Sequence, residues 1–261
     1  MAREGSFQSS TSSMKTSIKD KLELTTPLLL LFIHGMLYNK IGEIAALRNL
    51  NFGPLIETPL DAHVPFVPLF VLPYIFVWFY PILLMGFLAV KTNWDPVPFR
   101  QIVVSLSVLL IGCYTFWILF PVYVTLRLED EVLAQYGWLG ELVLFNYNNA
   151  SQWNACPSFH VAGPWFFYRA VSLFVPRMPK IFLFIVIAIA CSTVLIRIHY
   201  LADIVFGYMA AELVYSLVLK RFVKNNYTFA HQGAAPLELN KASSRSGSGR
   251  IIKSRDRGIE Y

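Results

Sequence analysis

Apolar residues gather in six segments of the chain, which polar or charged stretches separate. The six segments are 25–38, 64–90, 101–120, 161–175, 181–196 and 200–219. Segment 64–90 carries no charge and, at 1.5 Å per helical residue, would span about 40 Å, which exceeds a hydrocarbon core of about 30 Å. We therefore expect it to tilt or kink, and Pro68, Pro73 and Pro81 offer places for a kink.

These segments predict helices, because they are too long and too apolar for strands and because a backbone inside a bilayer must satisfy its own hydrogen bonds. Residues 24–221 are thus predicted to form an all-α polytopic membrane protein, a bundle of six transmembrane helices. Residues 1–23, rich in Ser and Thr, are interpreted as a flexible cytoplasmic arm, and residues 222–261 as a basic, disordered cytoplasmic tail.

The composition supports this interpretation. Hydrophobic residues make up 56% of the chain and charged residues 15%, whereas an ordinary soluble domain carries about 25% charged residues. These values exclude a disordered chain and a collagen-like repeat. Three cysteines without a C-x-x-C pair give no disulfide framework and no zinc or thioredoxin-like pattern.

The charge distribution predicts the orientation in the membrane. Nine of the 22 Lys and Arg residues lie in residues 220–261, so the net charge of +6 indicates a basic tail, and we expect no nucleic-acid partner. With the N-terminus inside, the predicted inner segments hold seventeen Lys and Arg residues and the outer segments hold four. Both termini are therefore predicted to be cytoplasmic, with loop 121–160 facing the lumen, periplasm or exterior.

Four ionisable residues are predicted to meet at the outer face of the membrane. His160 begins the fourth segment, and Arg197 and His199 lie between the fifth and the sixth. Asp203 follows His199 by four residues, which places both side chains on one helix face. A carboxylate bonded to one imidazole nitrogen fixes the tautomer and leaves the other nitrogen a lone pair. Ionisable residues at membrane depth are functional candidates by default.

This set of side chains suits stepwise phosphoryl transfer. One histidine attacks phosphorus while the other protonates the leaving oxygen, and Arg197 with the amides at the start of the fourth helix binds the phosphate oxygens. A zinc or iron site on His160, His199 and Asp203 is the competing hypothesis. Because the chain has five histidines and neither H-x-x-H nor H-E-x-x-H, we expect no metal and no cofactor.

Two motifs resemble those of the type 2 phosphatidic acid phosphatase superfamily. Residues 156–160 read C-P-S-F-H and look like its P-S-x-H motif, and residues 192–203 look like its last motif, S-R-x5-H-x3-D. The resemblance covers about residues 60–220 and implies a six-helix bundle of that kind. It also implies that His199 is the nucleophile that becomes phosphohistidine, that Asp203 orients it, that His160 is the general acid, and that Ser158 binds phosphate.

The chain departs from the family pattern at three places. Thr193 stands where the family has an arginine six residues before the nucleophile, so phosphate binding is assigned to Arg197. Phe159 replaces the usual glycine, resembles the P-S-L-H form of inositol phosphorylceramide synthases, and is placed in the phosphate site. The family motif K-x6-R-P is absent; Arg127, after the third helix, is the candidate second phosphate ligand, with Tyr123 a weaker one.

The expected function is metal-independent hydrolysis of a lipid phosphate, such as a phosphatidic acid-like, isoprenoid or sphingoid phosphate, by an integral membrane enzyme. The alternative is a phosphotransferase that moves a phosphate-bearing head group onto ceramide or diacylglycerol. A non-catalytic scaffold or a transporter is the third hypothesis. Three of these residues have an alternative structural role: Arg197 as an interfacial anchor, Arg127 as a loop charge, and Ser158 as a helix N-cap. The oligomeric state is left open.

Overall fold

A computed structural model describes residues 18–224, and every regular element within that range is helical. The all-α prediction is therefore confirmed for these residues, with one isolated bridge between Val122 and Asn154. Residues 1–17 and 225–261, which include most of the predicted arm and tail, lie outside the described range.

The first helix, α1, runs unbroken over Ile18–Ala46. It is longer than the predicted segment 25–38 and includes the last six residues of the predicted arm, so the helix begins within the residues assigned to that arm. Apolarity marks the part of a helix that suits a bilayer, not where the helix begins. Thr25 and Thr26 donate their hydroxyls to the Leu22 carbonyl within the polar first turns.

Segment 64–90 is bent, as its prolines predict. A 3₁₀ turn over Pro68–Phe70, α4 over Val71–Ile75 and a second 3₁₀ turn over Phe76–Trp78 form its first part. The second part, α5, spans Tyr80–Lys91 at 45° to the first. The proline rings remove backbone donors here, which breaks the helical ladder.

Short helices cap one end of the bundle. Before the bend lie α2 (Gly53–Ile56) and α3 (Pro59–His63). After α6, which spans Pro96–Leu119, the long loop holds two helices that the apolar pattern did not predict, α7 (Asp130–Ala134) and α8 (Trp138–Asn149).

The last three helices build the site. They are α9 (Phe159–Phe174), α10 (Lys180–Leu195) and α11 (Leu201–Val214), and α11 continues through a π-helical turn over Tyr215–Leu219. Helix α9 contacts α5, α10 and α11, while α1 packs along α6.

Several of these helices are compatible with an integral membrane protein. Among residues 18–224, three helices are long and apolar enough to cross a bilayer, namely Leu22–Ala46, Pro96–Leu119 and Leu201–Lys224. The bent segment adds a fourth if its two parts form one span. Helices α9 and α10 have 16 residues each and reach about 24 Å, short of the hydrocarbon thickness. Six spans therefore remain a prediction. Apolar side chains cover much of the outside, and Phe32, Ile111 and Phe184 are more than 60% exposed.

Candidate active site

The turn between α10 and α11 presents His199 at the start of α11. The backbone N–H groups of Ile198 and His199 both donate to the Thr193 carbonyl, at 3.0 and 3.1 Å. From α8, the Tyr147 hydroxyl donates to the Ile196 carbonyl at 2.6 Å. Burial raises the pKa of Tyr147 to about 12, which keeps this donor protonated. These bonds fix the backbone that carries His199.

His199 and Asp203 form a buried pair, with 2% and 0% of their surfaces exposed. His199 Nδ1 lies 3.1 Å from Asp203 Oδ2, and the same oxygen accepts the Tyr200 N–H at 2.9 Å. A carboxylate only accepts, so Nδ1 carries the proton and Nε2 keeps the lone pair. His199 lies two residues before α11, and Asp203 lies in the first turn of that helix, so the turn before the helix brings the two side chains together.

Ser158 lies on the other side of the His199 ring. Its Oγ is 3.1 Å from His199 Nε2, and its backbone N–H donates to the Asp203 carbonyl at 3.2 Å. The side chain makes no capping hydrogen bond to α9. Two contacts hold this loop against the bundle: Trp117 Nε1 donates to the Pro157 carbonyl at 3.1 Å, and Gly207 on α11 comes so close that a Cβ there would lie 2.6 Å from the Ser158 carbonyl oxygen.

His160 is the second imidazole of the site. Its ring centroid lies 5.7 Å from that of His199. The ring stacks on Tyr74 of the bent segment at 4.5 Å and meets the edge of Tyr38 of α1 at 6.4 Å. Its Nδ1 is buried and has no hydrogen-bond partner among the described residues. We call the end of the bundle that carries Ser158, His160 and His199 the site end.

Both predicted arginine ligands lie at the site end, each tied to backbone carbonyls. Arg197 has a left-handed backbone (φ 57°), and its Nη2 donates to the Val64 carbonyl at 3.2 Å. Arg127 donates through Nη1 and Nη2 to the carbonyls of Tyr147 and Ala150, at 2.6 and 2.9 Å, at the end of α8. Each keeps a buried Nε without a partner among the described residues. Burial lowers the pKa of Arg127. Their phosphate-binding roles remain predictions.

Phe159, the remaining predicted phosphate contact, has its side chain buried beside the ring of His34. The ring is 8% exposed and lies 4.2 Å from the ring of His34. The N–H groups of Val161 and Ala162 donate to the Ser158 carbonyl. The backbone N–H groups of Phe159 and His160 are therefore the ones at the start of α9 that remain for an anion.

Sequence reasoning missed three residues that shape the site. Tyr74 and Tyr38 flank His160, and Asp61 is a buried carboxylate that accepts the Leu201 N–H at 2.7 Å and the Thr58 N–H and hydroxyl, both at 2.7 Å. Asp61 thus caps α11 from the short helix α3. The stretch T-P-L-D at 58–61 is a capping-box pattern that marks the start of α3, but no local signal indicates its contact with α11.

Burial, and then the adjacent Asp203 carboxylate, raise the pKa of the Cys156 thiol, so it stays protonated. Within residues 18–224, no group of three or more His, Cys, Asp or Glu side chains is arranged to hold a metal ion.

Comparison with known proteins gives one match. A family model described as the PAP2 superfamily covers residues 41–217, which include every site residue predicted from the sequence. Searches of curated proteins and of solved structures found no match.

Proposed function

Because the chain belongs to the PAP2 superfamily, as the motif resemblance indicates, we propose that it is a membrane enzyme that removes the phosphate of a lipid phosphate through a phosphohistidine on His199. Members of this superfamily are phosphatases and phosphotransferases. The observation that carries the proposal is the placement of two imidazoles 5.7 Å apart, one of them backed by a buried carboxylate.

In the first step, His199 Nε2 attacks phosphorus and the bond from phosphorus to the lipid oxygen breaks. Protonated His160 gives its proton to that oxygen, so the lipid leaves as an alcohol. Asp203 stabilises the positive charge that develops on the His199 ring. Ser158 Oγ turns from Nε2 to the phosphate, where Arg197 and the first N–H groups of α9 bind the other oxygens.

In the second step, His160 takes a proton from a water molecule, which attacks the phosphohistidine. The bond between phosphorus and nitrogen breaks, and inorganic phosphate leaves with the His199 lone pair restored. An alcohol in place of water would make the same chain a phosphotransferase. The resemblance of Phe159 to the inositol phosphorylceramide synthase form favours that second function.

The geometry also permits a serine nucleophile. Ser158, His199 and Asp203 are connected like a Ser-His-Asp triad, with 3.1 Å at each link. In that mechanism His199 would serve as both base and acid, and His160 would have no task. The proposed mechanism uses both imidazoles, which is why we favour it.

We further propose that the bundle crosses the membrane six times and that the site end faces the lumen, periplasm or exterior, with both termini cytoplasmic. The asymmetry of Lys and Arg along the chain supports this orientation. It would supply the site with substrate from the outer leaflet.

The test is phosphate release by the purified protein in detergent with EDTA present. We expect inorganic phosphate from a long-chain lipid phosphate and none from the His199→Ala variant. Added labelled diacylglycerol or ceramide separates transfer from hydrolysis, since transfer yields a new labelled lipid. Full activity of His199→Ala, or activity that EDTA abolishes and a metal restores, would refute the proposal, and a chain with no turnover would fit a scaffold.

A further inference from the structure

An apolar groove begins beside the catalytic set and follows α1 away from the site end. It is a cavity of about 550 Å³ between α1, the bent segment, α8 and α9. His160 and Tyr74 line the groove near the site, and Leu28 lines its far end. Along α1 the lining runs from Asn39 to Leu28, eleven residues or about 16 Å. The groove is therefore long, narrow and continuous with the site.

Two glycines and an exposed rim shape the groove. Gly35 on α1 and Gly163 on α9 both line it, and a Cβ on Gly35 would only touch the Trp78 ring at 3.5 Å. On the rim, Phe32 and Ile82 are 67% and 51% exposed, on the surface that faces lipid if α1 spans the bilayer. A hydrocarbon chain can thus enter the groove sideways from the membrane. Apolar walls of this kind suit an apolar ligand.

His34 is a polar exception in the wall of this groove. Its Nδ1 lies 2.8 Å from the Tyr114 hydroxyl, and its Nε2 has no hydrogen-bond partner among the described residues. In either tautomer Nε2 can form one hydrogen bond, so it is available to a ligand in the groove. His34 lies one helical turn from Tyr38, about 6 Å deeper along α1 than the ring that contacts His160.

We propose that the apolar groove holds the hydrocarbon chain of the lipid phosphate, and that His34 determines specificity by hydrogen-bonding a hydroxyl, amide or ester group of the lipid near the phosphoester. This inference rests on the proposed function, since the phosphate must lie between His160 and His199. Glycerolipid and sphingoid phosphates carry such groups a few bonds from phosphorus. An alkyl or isoprenyl phosphate has only hydrocarbon there and leaves Nε2 unpaired, which is unfavourable in an apolar wall.

The first test fills the groove. Gly35→Leu places a side chain in it, and Gly112→Leu is the matched control, because a Cβ on Gly112 of α6 meets nothing within 4 Å. We expect Gly35→Leu to raise KM about tenfold for hexadecyl phosphate and to leave the turnover of p-nitrophenyl phosphate, which has no chain, within twofold. Equal effects of the two variants, or an unchanged KM, would overturn the groove assignment.

The second test changes His34. For His34→Leu we expect about a tenfold lower kcat/KM with 1-palmitoylglycerol 3-phosphate or ceramide 1-phosphate, mostly in KM, and less than a twofold change with hexadecyl phosphate. The lipid with the larger loss identifies the glycerolipid or sphingoid source. His34→Gln, which keeps a hydrogen-bonding group, should retain most of the preference. Equal losses on all three lipids, or none, would overturn the assignment.

A second variant and a binding assay test the same proposal if His34→Leu does not fold or the protein shows no turnover. If His34→Leu does not accumulate, Tyr114→Phe replaces it, because loss of the Nδ1 partner should reduce the same preference severalfold. Binding of a hexadecyl phosphonate with a brominated chain, read by quenching of the Trp78 fluorescence that Trp78→Phe removes, needs no turnover. Quenching in a chain without activity would refute the proposed function alone, and activity without quenching would refute the groove alone.

Discussion

Two clusters of polar side chains lie between α9 and α11, and they differ in which of their polar atoms lack a partner. The site cluster consists of Ser158, His160, His199 and Asp203. The mid-bundle cluster consists of Trp165, Arg169, Glu212 and Tyr215. In the mid-bundle cluster, Trp165 Nε1 donates to Glu212 Oε1 at 2.7 Å, and Arg169 Nε lies 2.9 Å from that oxygen, an ion pair too bent for a well-aligned hydrogen bond. The Arg169 guanidinium also lies 4.3 Å from the centre of the Tyr215 ring.

The mid-bundle cluster pairs its opposite charges, whereas the site cluster has no ion pair between an arginine or lysine and its carboxylate and leaves His160 Nδ1 and Asp203 Oδ1 without hydrogen-bond partners among the described residues. Glu212 and Arg169 neutralise each other. In the site cluster, the Nδ1 of His160 stays unpaired, and the His160 ring borders a cavity. Ionisable residues within apolar helices are thus not equivalent: a paired set can stabilise helix packing, whereas a set with an unpaired nitrogen beside a cavity can bind a ligand. The following predictions test this distinction.

The largest predicted difference in the rate of phosphate release is between a variant of His199 and a variant of Glu212. His199→Ala should lower phosphate release about 10⁴-fold or more, because it removes the nucleophile. Glu212→Gln should leave kcat within about twofold, because an ion pair inside the bundle touches no reacting atom. Initial rates on one lipid phosphate measure both. Comparable losses in the two variants would show that the clusters act as one unit.

His160→Ala should slow turnover by about 10²–10⁴-fold, the usual contribution of a general acid. Because the proposed mechanism needs one neutral and one protonated imidazole, the wild-type rate should pass through a maximum with pH. The variant should lose the alkaline fall and keep the acid one. A bell-shaped profile that survives in His160→Ala would assign the acid to another residue.

Gly207→Ala tests how precisely α11 positions Ser158. The new methyl group would lie 2.6 Å from the Ser158 carbonyl oxygen, so the loop must move. Since a displacement of about 1 Å can cost about 10²-fold in rate, we expect kcat to drop by about 10–10²-fold with little change in KM. Gly112→Ala, which meets open space, is the control and should behave like wild type.

The smallest effect is on stability. Glu212→Gln should lower the free energy of unfolding by about 0.6 kcal/mol, the average measured for polar contacts between membrane helices, and by at most about 1.7 kcal/mol. Thermal unfolding in detergent, followed by helical circular dichroism, measures this change. An unaltered transition would mean that the mid-bundle cluster contributes nothing to packing.

The sequence pattern predicted those features of the structure that depend on residues close together in the chain. The contact between His199 and Asp203 was predicted from their spacing of four residues, although His199 lies just before α11 and not on its face. The bend of segment 64–90 was predicted from its prolines. Asp61 could not be predicted in this way, because its bond to the Leu201 N–H joins positions 140 residues apart. The stacking of Tyr74 on His160 could not be predicted either, because these two residues are also far apart in the chain. Helices α7 and α8 were missed because a search for long apolar segments passes over short helices in a polar loop.

The central claim is that the phosphate passes through His199. The direct measurement is to quench the purified protein with denaturant during turnover of a ³²P-labelled lipid phosphate and to examine the protein-bound label. We predict acid-labile, alkali-stable phosphate on His199, mapped by mass spectrometry, and none on His199→Ala. Acid-stable phosphate on Ser158 would contradict this account and establish the serine mechanism instead.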